Sequence, residues 1–280
     1  MLKNTSITRC FNILVNKNLL RYLTICVFLI LVFAEGQGQC YRTNTTYQGG
    51  EEISYEVYYN WGFIWLNAGF VKFRVADTVY KGIESYFFDS FGSSHKSYDW
   101  LFKVRDYYKS YIDKDSLKPL YFHRKNYEGG FEVDNKYTFN WEENLVYSST
   151  WNSKKNRTLD TVNIPDCTYD LLSLIYYTRN LDFSDLEIGE KVPVVSIIDN
   201  EIFYLYIRYL GKEKIKHRDG KTYSCFKFSA LLVEGTIFKG GEDMFVWVTD
   251  DKNRVPVLVE AKILIGSVKA YLKSAKGLKH

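Results

Sequence analysis

Residues 51–59 read EEISYEVYY. Ile53, Tyr55, Val57 and Tyr59 take every second position, with Glu52, Ser54, Glu56 and Tyr58 between them. Successive side chains of a strand point to opposite faces, so this alternation describes a strand with one buried face. The same period returns in residues 67–75, 84–91, 104–112, 120–127, 131–141, 145–151 and 191–198. It continues in residues 201–210, 221–233, 243–249, 255–265 and 267–273. Turn formers separate the runs: Glu128-Gly129-Gly130, Glu142-Glu143-Asn144, Asp199-Asn200, Arg218-Asp219-Gly220 and Asp250-Asp251-Lys252-Asn253. Connections this short favour antiparallel neighbours. The reading is a mainly β fold, a single large antiparallel β-barrel or strongly curved sheet. The alternative is a pair of sandwich domains split near residue 165.

One segment leaves the two-residue period. Leu171, Leu174, Ile175 and Thr178 recur at helical spacing, which predicts one short helix near residues 168–179. Asp166 or Thr168 would cap it, Asp170 would favour its first turn, and Arg179-Asn180 would suit its end. A further helical turn is expected within residues 94–102.

The 280 residues carry a formal net charge of +4, and its distribution matters more than its size. Residues 1–21 hold Lys3, Arg9, Lys17 and Arg21 and no acid, and an apolar run, YLTICVFLILVF, follows at residues 22–33. Small residues come next, the order of a signal peptide over residues 1–38, with a single β-rich domain expected over residues 39–280. The apolar run is too short to span a bilayer, which takes about 20 residues. Removing 1–38 takes four basic residues and Glu35 from totals of 37 and 33, leaving 33 basic and 32 acidic. The mature chain is close to neutral, so no nucleic-acid partner is expected. The predicted location is the periplasm or the outer membrane's periphery in a Gram-negative bacterium. Gln39 stands where a lipoprotein signal places a small residue, which argues against a lipid on Cys40.

The mature chain keeps Cys40, Cys167 and Cys225. An exported protein meets oxidising conditions, so one disulfide and one thiol are expected. Three pairings are open. Cys40–Cys167 is favoured because both lie in irregular stretches, whereas Cys225 sits inside a strand-like run as a small buried residue.

Signals for enzymatic chemistry are sparse. His95, His123, His217 and His280 show no metal-ligand spacing, and HExxH, GxSxG, GxGxxG and Walker patterns are absent. No cofactor and no metal are expected. Gly92-Ser93-Ser94-His95 reads as a turn, His217 between Lys216 and Arg218 as a solvated turn, and His123 as a surface residue. The carboxylate pairs Glu51-Glu52, Glu142-Glu143 and Asp250-Asp251 are chain neighbours whose side chains diverge, and they read as solvated turns. The most unusual stretch is YYNWGFIWLNAGF at residues 58–70. Tyr59, Trp61, Phe63, Trp65 and Phe70 read either as sheet core, with Gly62 and Gly69 easing bends or close approach, or as the apolar wall of a ligand site.

Four ordered segments, GGEEISYEVYYNWGFIWLNAG, VRDYYKSYIDKDSLKPLYFHR, PDCTYDLLSLIYYTRN and FVWVTDDKNRVPVLVEAKILIGSVKAYL, cover nearly the whole mature chain. Together they resemble exported bacterial proteins of the Bacteroidetes type, catalogued as domain of unknown function 3108. The resemblance implies an exported, β-rich envelope protein and transfers no catalytic residue. Three functions are weighed: a non-enzymatic envelope protein that binds a hydrophobic small molecule or lipid-like ligand in a β-barrel; a structural or interaction module of the envelope without one; and a hydrolase with a dispersed site.

Overall fold

The computed structural model describes residues 43–61, 63–233, 240–263 and 266–280. The leader, Cys40 and Gly62 lie outside them. The first half runs β1 (Glu52–Trp61), β2 (Ile64–Tyr80), β3 (Ile83–Ser94), a 3-10 turn (Lys96–Tyr98), α1 (Asp99–Phe102), β4 (Val104–Asp113), β5 (Pro119–Glu128), β6 (Phe131–Asn140), β7 (Leu145–Asn152) and β8 (Lys155–Asn163). The second half holds β9 (Thr168–Tyr169), α2 (Leu171–Arg179), β10 (Lys191–Ile198), β11 (Glu201–Lys216), β12 (Thr222–Leu232), β13 (Gly241–Thr249), β14 (Pro256–Lys262) and β15 (Ser267–Lys276).

All fifteen strands form one sheet, so the chain does not split into two sandwiches. The order runs from β8 down to β1, crosses to β15, and descends to β9. The first and last strands therefore zip together at the centre, from Glu52 opposite Lys276 to Asn60 opposite Ser267. Every pairing is antiparallel except the short β9–β10 contact. The edges, β8 and β9, do not pair with each other, so the sheet curls without closing. The curl is tight. At the β10–β11 turn Asp199 and Asn200 both take positive φ, 49° and 68°, as a two-residue hairpin of this hand demands. That turn reaches the far side of the sheet, where Asn200 Nδ2 donates to Asp160 Oδ2 of β8 at 2.9 Å.

Register explains the inner face. Val75 pairs with Phe88, Phe88 with Ser110, Ser110 with Phe122, Phe122 with Tyr137, and Tyr137 with Ser148. Each of the six is buried, a continuous row across six strands. The helix α2 packs over it. Leu172 and Tyr176 join the core of Phe88, Ile112, Phe122, Phe139 and Val146, and the rings of Tyr176 and Phe88 stack at 3.8 Å. Tyr177 and Leu181 join a second core with Phe183, Tyr209, Phe226 and Phe228. Each large side chain buried here contributes about 1.5–3 kcal/mol, so the helix is held by its burial and not by its nine-residue length.

Several local expectations change. The helix starts at Leu171, later than expected, because Thr168 and Tyr169 are drawn into β9. Its cap is Asp170: Oδ1 accepts from the backbone N–H groups of Leu172 and Ser173, each at 2.9 Å. The hydroxyls of Ser110 and Ser173 donate to Oδ2 at 2.8 Å. Arg179 does more than end the helix, and Glu51 is no solvated turn residue, since the two form a buried ion pair. His217 is also buried, at 6% exposure, with its ring edge-on to Tyr223 and Tyr271. Strand β8 shows no apolar alternation because it is an edge whose residues are nearly all exposed.

Candidate functional site

The five aromatic candidates do not form one wall. Tyr59 pairs with Leu66 and shares the face of Ile53 and Tyr55, whereas Trp65 pairs with Asn60 and Phe70 with Glu56 on the opposite face. Trp61 ends β1, and Phe63 stands in the turn after it, 95% exposed. Between Val57 and Tyr58 the ladder slips by one residue, because Ala68 is an extra residue in β2. That bulge turns Trp65 outward. The neighbouring Gly69 is needed for close approach: a Cβ there would lie 2.2 Å from the Ser93 carbonyl oxygen.

On the outer face Phe70 meets Phe91 edge-on at 5.8 Å, and Phe91 stacks on Tyr107 at 4.6 Å. The row leads towards the end of the sheet that carries the β1–β2 and β3–β4 connections. His95 ties the β3–β4 connection to the bulge of β2, its backbone N–H donating to the Ala68 carbonyl at 2.9 Å and its Nε2 lying 3.1 Å from Asn67 Oδ1.

The β3–β4 connection carries Trp100, Leu101 and Phe102, which the sequence reading missed. Their signal was present: three large apolar residues in a connection too short to bury them. Trp100 is 81% exposed and Leu101 61%. The connection is braced from below. Asp99 accepts from the Ser94 hydroxyl at 2.6 Å and from both terminal nitrogens of Arg105, at 3.1 and 2.6 Å. These hydrogen bonds, Arg105's first, hold the Asp99 carboxyl below its usual range. Ser94 Oγ also accepts from the Val104 N–H at 3.0 Å. With its one acid engaged by Arg105 and Ser94, α1 presents its apolar side chains to solvent. Phe102 lies over Gly129, where a Cβ would come within 2.2 Å of the ring. Lysines stand at this end: Lys96 and Lys103 are exposed, Lys269 Nζ, paired with Glu260, lies 5.4 Å from the Trp65 ring, and Lys72 Nζ lies 5.7 Å from the Phe70 ring.

Elsewhere the geometry offers less. Two open grooves among the described residues measure about 480 Å³, lined by Ile83, Lys118, Leu120, Trp141 and Tyr147, and about 280 Å³, lined by Thr45, Asn180, Asp182 and Arg254. Ser94 is bonded to Asp99 and His95 to Asn67, so their adjacency makes no nucleophile–base pair. His123 Nε2 meets Asp134 Oδ1 at 2.7 Å, and Asp134 also receives Arg157. Cys225 is a free thiol, fully buried, and burial pushes it up to about 11.

The family described as "Protein of unknown function (DUF3108)" matches residues 54–273. The chain belongs to the DUF3108 family. The match begins in β1 and ends in β15, so the family's unit includes the central zipper of first and last strands. Among solved structures, this DUF3108 chain is similar to a β-barrel-like protein of domain of unknown function DUF1849 from Brucella abortus. That likeness has a TM-score of 0.50 and 9% identity, and covers 81% of this chain and 96% of the other. At that identity it shows the shared fold. No curated protein matches.

Proposed function

We propose that this DUF3108 protein is a non-enzymatic, exported envelope protein that recognises a lipid-like partner through its exposed aromatic end, seating peripherally on a membrane surface. The observation that carries the reading is the braced, exposed presentation of Trp100, Leu101 and Phe102, at the end of the sheet that also carries the exposed Phe63 and Trp65. Protruding Trp, Phe and Leu flanked by the exposed Lys96 and Lys103 have the composition of surfaces that insert shallowly into anionic headgroup regions. Burying three such side chains supplies on the order of 5 kcal/mol, enough for reversible docking and too little for permanent anchoring. Among the described residues no helix is long and apolar enough to cross a membrane. In this reading the hydrophobic ligand is met at the rim, since the inner face is occupied by α2 and its two cores. The proposed Cys40–Cys167 disulfide is supported by the burial of Cys225, which leaves the other two to pair.

Co-sedimentation of the purified protein with phosphatidylcholine vesicles, with and without phosphatidylglycerol, tests this. Binding should rise with the anionic lipid, and Phe63→Ser combined with Trp100→Ser and Leu101→Ser should weaken it at least tenfold. Equal sedimentation of variant and parent defeats the reading. So does an absence of vesicle binding, and if the same variant then loses an envelope protein in pull-down, the interaction-module reading takes its place.

A further inference from the structure

Next to the buried row, the inner face changes chemistry towards the aromatic end. One row is Gly92, Asp106 and Asn126, paired across β3, β4 and β5. Glu128 follows two residues after Asn126 on the same face, and Tyr108 two after Asp106. Asn126 is 6% exposed, and its Nδ2 donates to the Tyr108 hydroxyl at 2.6 Å and to Glu128 Oε1 at 3.3 Å. The bond to the Glu128 carboxylate, which only accepts, sets the orientation of the amide, and its oxygen is left buried with no hydrogen-bond partner among the described residues. Asp106 Oδ1 is likewise buried and unpartnered. Directly paired residues on one face hold their Cβ atoms roughly 4.5–5.5 Å apart, so the two orphan oxygens belong to neighbouring side chains. Arg124 stands on the same face, opposite Tyr108; its Nη2 donates to Asp199 Oδ1 at 2.6 Å, and its Nε is buried with no hydrogen-bond partner among the described residues.

Two buried acceptors without donors, beside a second carboxylate, are costly unless something positive meets them. We infer that Asp106, Asn126 and Glu128 form a site for a hard divalent cation of the Ca²⁺ class. The donors are all oxygens, two from carboxylates and one from an amide, the set that Ca²⁺ favours over softer metals. Among the described residues no three His, Cys, Asp or Glu side chains converge, and the third oxygen here is an amide. With three protein ligands and Arg124 on the same face, the site belongs to the weak class, with Kd on the order of 10⁻⁴–10⁻³ M. Mg²⁺ demands a stricter octahedron and binds less well here. The inference is independent of membrane seating, because it rests on inner-face residues.

Chelator-stripped protein is titrated with Ca²⁺, with the thermal midpoint and Tb³⁺ luminescence sensitised by Tyr108 as two readouts. Ca²⁺ should raise the midpoint and displace Tb³⁺ in the millimolar range. Asp106→Asn and Glu128→Gln should each weaken Ca²⁺ binding at least tenfold, and Glu132→Gln, an exposed acid on the same hairpin, should leave it unchanged. Circular dichroism checks the folding of each variant; should Asp106→Asn fail to fold, Glu128→Gln and the parent titration decide. No response to Ca²⁺ up to about 10 mM, a range well past that weak class, overturns the site. Parent-like affinity in the folded variants overturns it equally.

Discussion

Glu51 and Arg179 stand 128 residues apart and meet in a two-pronged ion pair, Nη1 to Oε1 at 2.6 Å and Nη2 to Oε2 at 2.9 Å. Glu51 is 0% exposed and Arg179 4%. Arg179 Nη2 also donates to the Asn253 carbonyl at 2.9 Å and to the Thr46 carbonyl at 3.3 Å. One guanidinium thus ties the entry to β1, the end of α2 and the β13–β14 turn. Removing one partner leaves a buried charge alone, so Glu51→Gln or Arg179→Met should lower the unfolding free energy by roughly 3–5 kcal/mol in urea titrations. The double variant Glu51→Leu/Arg179→Met should lose clearly less than the sum of the single changes. Simple additivity would show that the pair is not coupled.

Asp170 makes stability pH-dependent. Burial pushes its carboxyl up to about 6, against the pull of four hydrogen bonds. Between the unfolded value near 4 and the folded value the native state holds the extra proton, so this group's contribution falls as pH rises through that window. A shift of this size corresponds to about 3 kcal/mol. Asp170→Asn keeps an oxygen for the helix cap, and it should flatten the stability slope between about pH 4 and 6 in denaturation curves. An unchanged slope would assign the effect to another group.

Gly69 sits beside the bulge that sets the outward face of Trp65. Because a Cβ would strike the Ser93 carbonyl, Gly69→Ala should destabilise by about 1–3 kcal/mol, read from thermal or urea unfolding. Gly92, whose Cβ would meet nothing nearer than 3.6 Å, is the control and should tolerate alanine far better.

Thiol counting tests the cysteine assignment. In the chain from residue 39, the native, unreduced protein should bind no alkylating reagent at pH 8, since Cys225 is buried and its thiol is pushed up to about 11. Unfolding without reductant should release one reactive thiol, and unfolding with reductant three. Three thiols without reductant would exclude the proposed Cys40–Cys167 bond.

Much of the sheet was legible because alternation is a local property. The run from Ile53 to Tyr59 and the turn at Asp199-Asn200 carry their own conformation in side-chain period and in tolerance of positive φ. Strand β8 was not legible: its edge position leaves both faces in water, and KNRTLDTVN needs no period. The aromatic segment misled for a different reason. Period-two counting cannot pass through Ala68, the extra residue that sends Trp65 to the face opposite Tyr59. The rim at Trp100 was hidden because exposure depends on how Asp99, Ser94 and Arg105 brace the connection, and those contacts form across a hairpin.

The sequence by itself determined a mainly β chain with one short helix near residues 168–179, a near-neutral charge balance over residues 39–280 and an aromatic surplus, all of which follow from local pattern and composition. The tertiary structure decided that β1 would zip to β15, that Glu51 would find Arg179, and that Asp106 and Asn126 would share a row. Each of these joins distant residues or neighbouring strands, and register across a sheet is fixed by the burial of whole faces and not by any single segment.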